Sequence, residues 1–235
     1  MKMEDRNNIK LILGMHRSGT SCLAGVMQRC GLYMGDVRKG SQSNKRGFYE
    51  IRKLQTIHDQ ILGLNNASWH SPPLSQIIFH PHHQNEIKNI LNTLKDRRYV
   101  GIKDPRLLLM LEAWADVLQS PPAFVGTFRH PLAVVDSLAK RNKLEPEHTI
   151  DLWKHYNAKL VECHKQNQFP LIHFDLSDKK KYLSKVEDLI ERVGLKYHPW
   201  KVKWFVTQNL QNYKYKYSDV PDDCKKIFDY LMNNT

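Results

Sequence analysis

The chain contains 235 residues, of which 41% are hydrophobic and 26% charged, as expected for one globular domain spanning residues 1–235. The net charge of +12 favours anionic partners such as phosphorylated cofactors, anionic substrates, nucleic acid or a membrane surface. The sequence contains no stretch approaching the ~20 apolar residues that span a bilayer, no signal-peptide segment, and no C-x-x-C pair or dense disulfide framework among its four cysteines. We therefore expect a soluble, cytoplasmic protein with reduced thiols and no stable membrane anchor.

The first predicted elements are a strand, a loop and a helix. A short apolar run at residues 10–14 predicts a strand, and apolar residues at helical spacing predict a helix over 20–31. Residues 35–48 are rich in Gly, Ser and Lys and predict a loop. A second helix is predicted over 49–64, and a proline-rich irregular segment and a His-rich bend at 80–83 follow it.

The rest of the chain alternates short β-like runs with helical patterns. The β-like runs lie at residues 99–102, 123–128 and 169–174, and the helical patterns at 107–118, 132–140, 147–166, 178–193, 200–205 and 222–232. This alternation is typical of right-handed crossovers between parallel strands. It predicts a three-layer α/β domain with a mostly parallel central sheet flanked by helices.

The first strand leads into the sequence ILGMHRSGTSC at residues 12–22, which has the form of a nucleotide-phosphate loop without its lysine. Gly14 and Gly19 match the spacing of G-x-x-x-x-G-K-[ST], but Thr20 occupies the lysine position and Arg17 lies inside the loop. Backbone amides, a helix N-terminus, hydroxyl groups and an arginine therefore converge there. The loop is predicted to bind an anion; a plain helix-capping turn is the alternative.

Two other predicted strands end beside a basic residue. Lys103 follows the second strand and Arg129 follows the third. Because ligands of open parallel sheets bind outside the carboxyl ends of the strands, three strands deliver a cation to one edge of the sheet. Either residue alone would be interpreted as a solvent-facing charge, but their equivalent positions favour a shared anion site.

Together these segments resemble sulfotransferases that use 3′-phosphoadenosine-5′-phosphosulfate (PAPS). The resemblance covers about residues 11–175, is closest to the prokaryotic-type, carbohydrate-linked members, and implies the P-loop-like sulfotransferase fold. The matching segments are ILGMHRSGTS at 12–21, GFYE at 47–50, W-x-x-P-P at 69–73, KDPR at 103–106, and Arg129 with Ser137 eight residues later.

The resemblance implies two separate anion sites for the cofactor. It places the 5′-phosphosulfate on the first loop and the 3′-phosphate on Arg129 and the Ser137 hydroxyl. It also implies that a C-terminal basic segment, NYKYKYS at 212–218, contacts the cofactor through Lys214 and Lys216. The first-loop residues assigned to the cofactor are His16, Arg17, Ser18, Gly19, Thr20 and Ser21.

The resemblance also implies catalytic roles. Arg17 stands where cytosolic members carry Lys and would stabilise the leaving oxygen, and Lys103 resembles a Lys near the transferring group. Cytosolic members carry a histidine base two residues after that Lys, but this chain has Pro105 there. Glycan- and tyrosine-modifying members use a Glu after the first helix, which points to Glu50 as the base.

Alternatives remain open for the base and for a metal. Asp104 and His16 are other candidate bases. An equally good interpretation of Glu50 is that its charge only stabilises the first turn of a helix. The HPHH segment at 80–83, with His70, lacks the spacing of a zinc site and is predicted to be an acceptor loop or plain surface. No metal is required in principle, because fixed cations and amides can neutralise the anion.

We predict transfer of a sulfuryl group from PAPS to a hydroxyl of a carbohydrate or other small molecule, with adenosine 3′,5′-bisphosphate (PAP) as product. Trp69 is a candidate either for stacking on a sugar ring or for the core. A P-loop kinase or NTPase is the alternative function, but it would require the lysine that Thr20 replaces. A nucleic-acid binder would leave the ordered anion residues unexplained, so we expect no nucleic-acid partner.

Overall fold

The computed structural model describes residues 9–37, 47–118, 120–207 and 215–235. In these ranges short apolar runs form strands, and segments with helical apolar spacing form helices. The strands are β1 (Ile9–Leu13), β2 (Val100–Lys103), β3 (Ala123–Phe128) and β4 (Leu171–His173). The α-helices are α1 (Thr20–Arg29), α2 (Arg52–Leu64), α3 (Pro81–Asn92), α4 (Leu111–Ala115), α5 (Pro131–Asn142), α6 (Pro146–Asn167), α7 (Lys179–Arg192), α8 (Pro199–Thr207) and α9 (Asp222–Asn233).

The four strands form one parallel sheet in the order β2-β1-β3-β4. Ile12 of β1 pairs with Lys103 of β2 on one side and with Val125 of β3 on the other. Phe128 of β3 pairs with His173 of β4. All four strands therefore end at the same edge of the sheet, which confirms the predicted parallel arrangement.

Alternation of side chains along the strands divides the core into two layers. Leu11 and Leu13 of β1 pack with helices α2, α5, α6 and α9, whereas Ile12 packs with α1, α7 and α8. Trp153 of α6 and Phe205 of α8 are among the largest fully buried side chains of the two layers. Because successive side chains of a strand point to opposite faces, one short strand anchors both helical layers. The predicted three-layer architecture is confirmed.

The single helix predicted over residues 107–118 is wrong. The chain forms a 3-10 helix at Pro105–Leu109 and then the short helix α4. The Asp104 side chain accepts a hydrogen bond from the Arg106 backbone N–H at 3.0 Å, which caps the 3-10 helix directly after β2. A capping side chain so close to the strand favours a tight turn over a longer regular helix.

The His-rich segment at 80–83 was predicted as a bend, but it begins helix α3. Pro81 occupies the first helical position, where its missing N–H costs no intrahelical hydrogen bond. Ile87, Ile90 and Leu91 have helical spacing, but the first half of the helix contains no apolar residue apart from Pro81, so its start is not visible in the sequence.

The order of the strands reverses between β1 and β3. The chain passes from β1 to β2 on one side and from β3 to β4 on the other. Ligands of open parallel sheets bind in the crevice outside the carboxyl ends of the strands at such a reversal. Residues 14–19, which follow β1, and Arg129, which follows β3, flank this crevice.

Gly25 permits close packing of α1 on α8. A Cβ at this position would lie 2.3 Å from Cζ of Phe205 and 2.8 Å from the Tyr49 hydroxyl. We expect Gly25→Ala to lower the free energy of unfolding by about 1–3 kcal/mol, because the buried rings must shift. The control is Gly63→Ala in α2, where a Cβ meets no described atom within 4 Å; it should raise this free energy by about 0.5–1 kcal/mol. Urea denaturation measures both, and equal effects would contradict the packing role of Gly25.

Candidate functional site

The loop after β1 has a strained backbone. Arg17 has a φ of 66°, a left-handed conformation that costs a non-glycine residue about 1 kcal/mol. The Ser18 N–H donates to the Met15 carbonyl at 3.2 Å and closes the turn. Gly19 directly precedes α1, and a Cβ there would lie 2.3 Å from Cγ of Phe174. Because Gly19 has no side chain to cap α1, the first-turn N–H groups of the helix are available to an anion.

The end of β3 holds this loop in place. The hydroxyl of Thr127, which is fully buried, donates to the Ser18 carbonyl at 2.9 Å. A Cβ at position 14 would lie 2.3 Å from the Thr127 carbonyl oxygen, so only glycine fits there. Ser18 Oγ is buried and has no hydrogen-bond partner among the described residues. The loop therefore offers a preformed concave backbone and one unsatisfied hydroxyl.

Arg17 contacts two other residues that are predicted to bind cofactor anions. Arg17 Nε donates to Ser137 Oγ at 2.7 Å, across 120 positions of sequence. Arg129 Nη1 donates to the Arg17 carbonyl at 3.2 Å. The Trp153 indole N–H donates to the Arg129 carbonyl at 3.0 Å and anchors the end of β3 to α6. The residues that the resemblance assigns to the two anion sites therefore lie next to each other.

Positive charge is in excess around Arg17. Burial, followed by the charges of Arg141 and Arg129, lowers the pKa of Arg17 to about 10. The described residues provide no carboxylate within ion-pair distance of Arg17 or Arg141. A bound anion would relieve both the repulsion and the desolvation, so this cluster favours an anionic ligand.

The end of β2 carries a buried ion pair. Lys103 Nζ donates to Glu50 Oε1 at 2.6 Å, to the Phe48 carbonyl at 3.1 Å and to Ser21 Oγ at 3.3 Å. The Lys103 and Glu50 side chains are only 2% and 8% exposed. Glu50 lies before α2, which begins at Arg52. Its carboxylate therefore binds Lys103, and the alternative of a helix-stabilising residue is not supported.

A second buried network lies behind this pair and engages both oxygens of Asp104. Oδ2 accepts from His58 Nδ1 at 2.9 Å, and Oδ1 accepts from Arg106 Nη1 at 2.9 Å. The Trp114 indole, which only donates, contacts His58 Nε2 at 3.1 Å and so assigns the proton to Nδ1. Arg106 Nε also donates to Asp59 at 2.6 Å. Burial opposes ionisation of Asp104, but the Arg106 charge and the His58 hydrogen bond hold its pKa far below the usual range. Asp104 is thus poorly placed to act as a base.

A cavity of about 160 Å³ lies between these groups. Loop residues after β1, the end of β2, helix α5 and Trp69 form its walls. It is lined by, among others, His16, Arg17, Ser21, Glu50, Lys103 and Arg141. The cavity thus brings together the three residues predicted to be catalytic: Arg17, Glu50 and Lys103.

His16 presents an unsatisfied nitrogen in this region. Burial, followed by the charge of Arg106, lowers the pKa of His16 well below 6.5, so the imidazole is neutral at neutral pH. Its Nδ1 is buried and has no hydrogen-bond partner among the described residues. Its ring lies 4.5 Å from that of Trp69, whose carbonyl accepts from the Tyr156 hydroxyl at 2.9 Å. His16 and Trp69 therefore form an aromatic wall.

A larger cavity, of about 410 Å³, follows the ends of β3 and β4. Its lining includes His130, His173, Tyr215, Tyr217 and Phe228. The His130 and Tyr215 rings stack at 5.4 Å with 13° between their planes. His130 Nδ1 and His173 Nε2 are buried without a partner among the described residues, and burial lowers the pKa of His173 to about 4. Aromatic walls with unsatisfied nitrogens suit a planar, nitrogen-containing ring.

The structure describes most, but not all, of the remaining residues that were predicted to contact the cofactor. Thr20 and Ser21 also line the smaller cavity. Lys214 lies outside the described residues. Lys216 contacts His130 through its carbonyl, which is 3.0 Å from Nε2.

Sequence reasoning missed Arg106 and Arg141. Arg106 belongs to the KDPR motif but received no role, and only the structure shows that it links Asp59 to Asp104. Arg141 follows Ser137 by four residues on α5, and this one-turn spacing was a usable signal.

Three further features of the described residues bear on the expectations from sequence. None of the helices in these ranges has the length and apolarity that crossing a membrane requires. No cluster of three or more His, Cys, Asp or Glu side chains suited to a metal ion occurs in the same part of the chain. All four cysteines lie in the described ranges, are buried and form no disulfide.

Comparison with known proteins identifies the fold. The amino-acid sequence matches no protein-family model and no curated protein. Its structure is similar to the sulfotransferase domain of the Synechococcus PCC 7002 olefin synthase, with a TM-score of 0.51, 14% identity and coverage of 99% of this chain and 97% of that domain.

Two other solved structures are more distant. Sulfotransferase STF1 from Mycobacterium tuberculosis H37Rv has a TM-score of 0.46 and 14% identity, with coverage of 97% of this chain and 77% of that one. Retinol dehydratase in complex with androsterone and inactive cofactor PAP has a TM-score of 0.41 and 11% identity, with coverage of 96% and 70%. The match to the olefin synthase domain shows that this chain has the sulfotransferase fold, which confirms the predicted fold class.

The strain and excess charge at Arg17 lead to a stability prediction. Replacing Arg17 with Gly removes a half-buried cation and relieves the left-handed backbone strain. It also removes the hydrogen bond to Ser137, which contributes about 1 kcal/mol. Because Arg17 is half-buried, is repelled by Arg141 and Arg129 and has a strained φ, we expect Arg17→Gly without ligand to have a free energy of unfolding within about 1 kcal/mol of that of the wild type. The control is Lys143→Gly, because Lys143 has a φ of 56° but is exposed, so it reports the backbone strain alone. Urea unfolding measures both; a loss of more than about 1 kcal/mol in Arg17→Gly would show that the loop needs the arginine for folding.

Proposed function

We propose that this protein transfers a sulfuryl group from PAPS to a hydroxyl group of a carbohydrate or another small molecule. The observation that carries the proposal concerns Arg17. Its guanidinium donates to Ser137 Oγ at 2.7 Å and has no described carboxylate partner, and its backbone carbonyl accepts a hydrogen bond from Arg129. PAPS carries a 5′-phosphosulfate and a 3′-phosphate on one ribose, so it requires two adjacent cationic subsites. The ends of β1 and β3 provide such a pair.

The residues present fit this cofactor. The loop amides and Arg17 would hold the 5′-phosphosulfate, with Ser18 Oγ as a further donor that has no partner among the described residues. Arg129 and Ser137 would hold the 3′-phosphate. The cavity beside His130 begins at the residue after Arg129 and would take the adenine ring.

The groups around the smaller cavity match the needs of the reaction. When bound, PAPS supplies a sulfuryl group, whose bond to the 5′-phosphate oxygen breaks as the acceptor oxygen bonds to sulfur. Glu50 would accept the proton of the acceptor hydroxyl, because its carboxylate lines the cavity and is oriented by Lys103. Arg17 would stabilise the charge that develops on the leaving oxygen. Lys103, which also contacts Ser21 of the loop, would lie beside the transferring group.

A nucleoside-triphosphate site is the competing function for this loop. Such a site would use a lysine at position 20 to reach the β- and γ-phosphates. Thr20, the first residue of α1, occupies that position and is buried. The cations near the loop instead come from Arg17, within it, and from Arg129, at the end of the neighbouring strand.

The cofactor assignment predicts a selective response to PAP. Without magnesium, PAP at 100 times its dissociation constant should stabilise the protein by about 2.7 kcal/mol, seen as a rise in melting temperature. Arg129→Ala should weaken PAP binding by about 2 kcal/mol, because a charge-assisted contact is lost, and should change binding of adenosine 5′-phosphate much less. Calorimetric titration measures both affinities.

The same experiment separates the alternatives. Stabilisation by ATP with magnesium and none by PAP would support the NTPase function instead, and stabilisation by a short oligonucleotide alone would support nucleic-acid binding. Equal losses for PAP and adenosine 5′-phosphate in Arg129→Ala would show that the 3′-phosphate does not bind at this arginine.

The proposed base predicts a loss of turnover without a loss of cofactor binding. Glu50→Gln should reduce transfer of labelled sulfuryl groups from PAPS, to a panel of sugars or to water, by about 10²–10⁴-fold, because the amide cannot take the proton. PAP affinity should stay unchanged. Glu50→Asp, which keeps a carboxylate, should recover part of the rate. Unchanged turnover in Glu50→Gln would remove Glu50 from this role and leave His16 as the candidate.

A further inference from the structure

Arg141 is a cation in the smaller cavity to which the proposed reaction assigns no role. It lies on α5 one turn after Ser137 and lines the cavity together with Arg17. Its guanidinium carbon is 5.4 Å from the centre of the Phe48 ring, a cation–π contact with another residue that lines the cavity. Arg141 is exposed, so a molecule in the cavity can reach its guanidinium from solvent.

The other cations of the cavity already have partners or a task. Lys103 is paired with Glu50 at 2.6 Å. Arg106 is paired with Asp59 at 2.6 Å and with Asp104 at 2.9 Å. Arg17 is part of the loop that would bind the phosphosulfate. Arg141 has no ion-pair partner among the described residues, so its charge is left for a second anion.

The lining of the cavity also includes aromatic rings. The Trp69 and His16 rings lie 4.5 Å apart, and His16 Nδ1 has no hydrogen-bond partner among the described residues. An indole face favours the apolar face of a sugar or another ring, and a guanidinium favours a carboxylate, sulfate or phosphate through paired N–H donors. The cavity therefore combines a ring-binding wall, a base at Glu50 and an anion-binding group.

We infer that Arg141 binds an anionic group of the acceptor, so that the acceptors are ring compounds carrying a carboxylate, sulfate or phosphate near the hydroxyl that is modified. This inference rests on the proposed function, since it takes Arg17 and Arg129 to be occupied by the cofactor. Arg141 determines which acceptor binds and takes no part in bond breaking.

The test uses the full-length protein saturated with PAP, which fills the cofactor sites and leaves the acceptor cavity open. The probes are methyl glucoside, methyl glucuronoside, glucose 6-sulfate and glucose 6-phosphate, with binding measured by calorimetry or ligand-observed NMR. At least one anionic probe should bind about tenfold more tightly than methyl glucoside, which corresponds to about 1.4 kcal/mol. Comparison of the three anionic probes identifies the preferred anion.

Variants at position 141 test whether Arg141 causes the preference for anionic probes. Arg141→Ala should abolish the preference for the anionic probe and leave PAP affinity unchanged, and Arg141→Glu should favour methyl glucoside. Lys140→Ala is the matched control, because it removes the same charge from the neighbouring exposed position of α5 and should keep the preference.

Three outcomes would overturn the inference, and they are distinguishable. If PAP does not bind the wild-type protein, the proposed function fails and this inference fails with it. If PAP binds but no anionic probe is preferred, only the role of Arg141 fails. If Arg141→Ala weakens PAP as strongly as Arg17→Gly does, Arg141 belongs to the cofactor site.

Discussion

The loop between β1 and α1 lies directly against the carboxyl end of β3, and the candidate site depends on this contact. The Thr127 hydroxyl binds the Ser18 carbonyl, and a Cβ at Gly14 would collide with the Thr127 backbone. Two residues after Thr127, the Arg129 side chain reaches the Arg17 carbonyl. These contacts therefore hold the side chains of Arg17 and Arg129 near each other, although their like charges repel.

The cations around the crevice are of two kinds. Lys103 and Arg106 are buried with carboxylate partners, and such pairs hold the end of β2 in one geometry. Arg17 and Arg141 have no such partner among the described residues, and both face the smaller cavity. Burial and the neighbouring charges of Arg141 and Arg129 disfavour the charged form of Arg17, and local rules of this kind are commonly broken at functional sites. The paired cations thus hold the site in shape, whereas Arg17 and Arg141 are the cations that would contact a ligand.

Much of this arrangement could be predicted from sequence, because parallel strands end at one edge. The positions of Arg17, Lys103 and Arg129 just after apolar runs predicted a shared anion site before any coordinates were known. The same reasoning could not distinguish a free cation from a paired one, since the partners Glu50 and Asp104 approach through contacts set by tertiary packing. Helix α3 was missed because its first half is polar and its apolar residues begin only at Ile87.

The sequence by itself determined the α/β class, the glycine-bounded loop and the types of side chain at the strand ends, because these follow from local periodicity and spacing. Only the tertiary structure decided the strand order, with its reversal between β1 and β3, and the contact of Arg17 with Ser137 across 120 residues. It also decided that Arg141 shares a cavity with Glu50. The physical reason is that strand order and long-range pairing depend on how both helical layers pack on the sheet, and no local pattern in the chain encodes that packing.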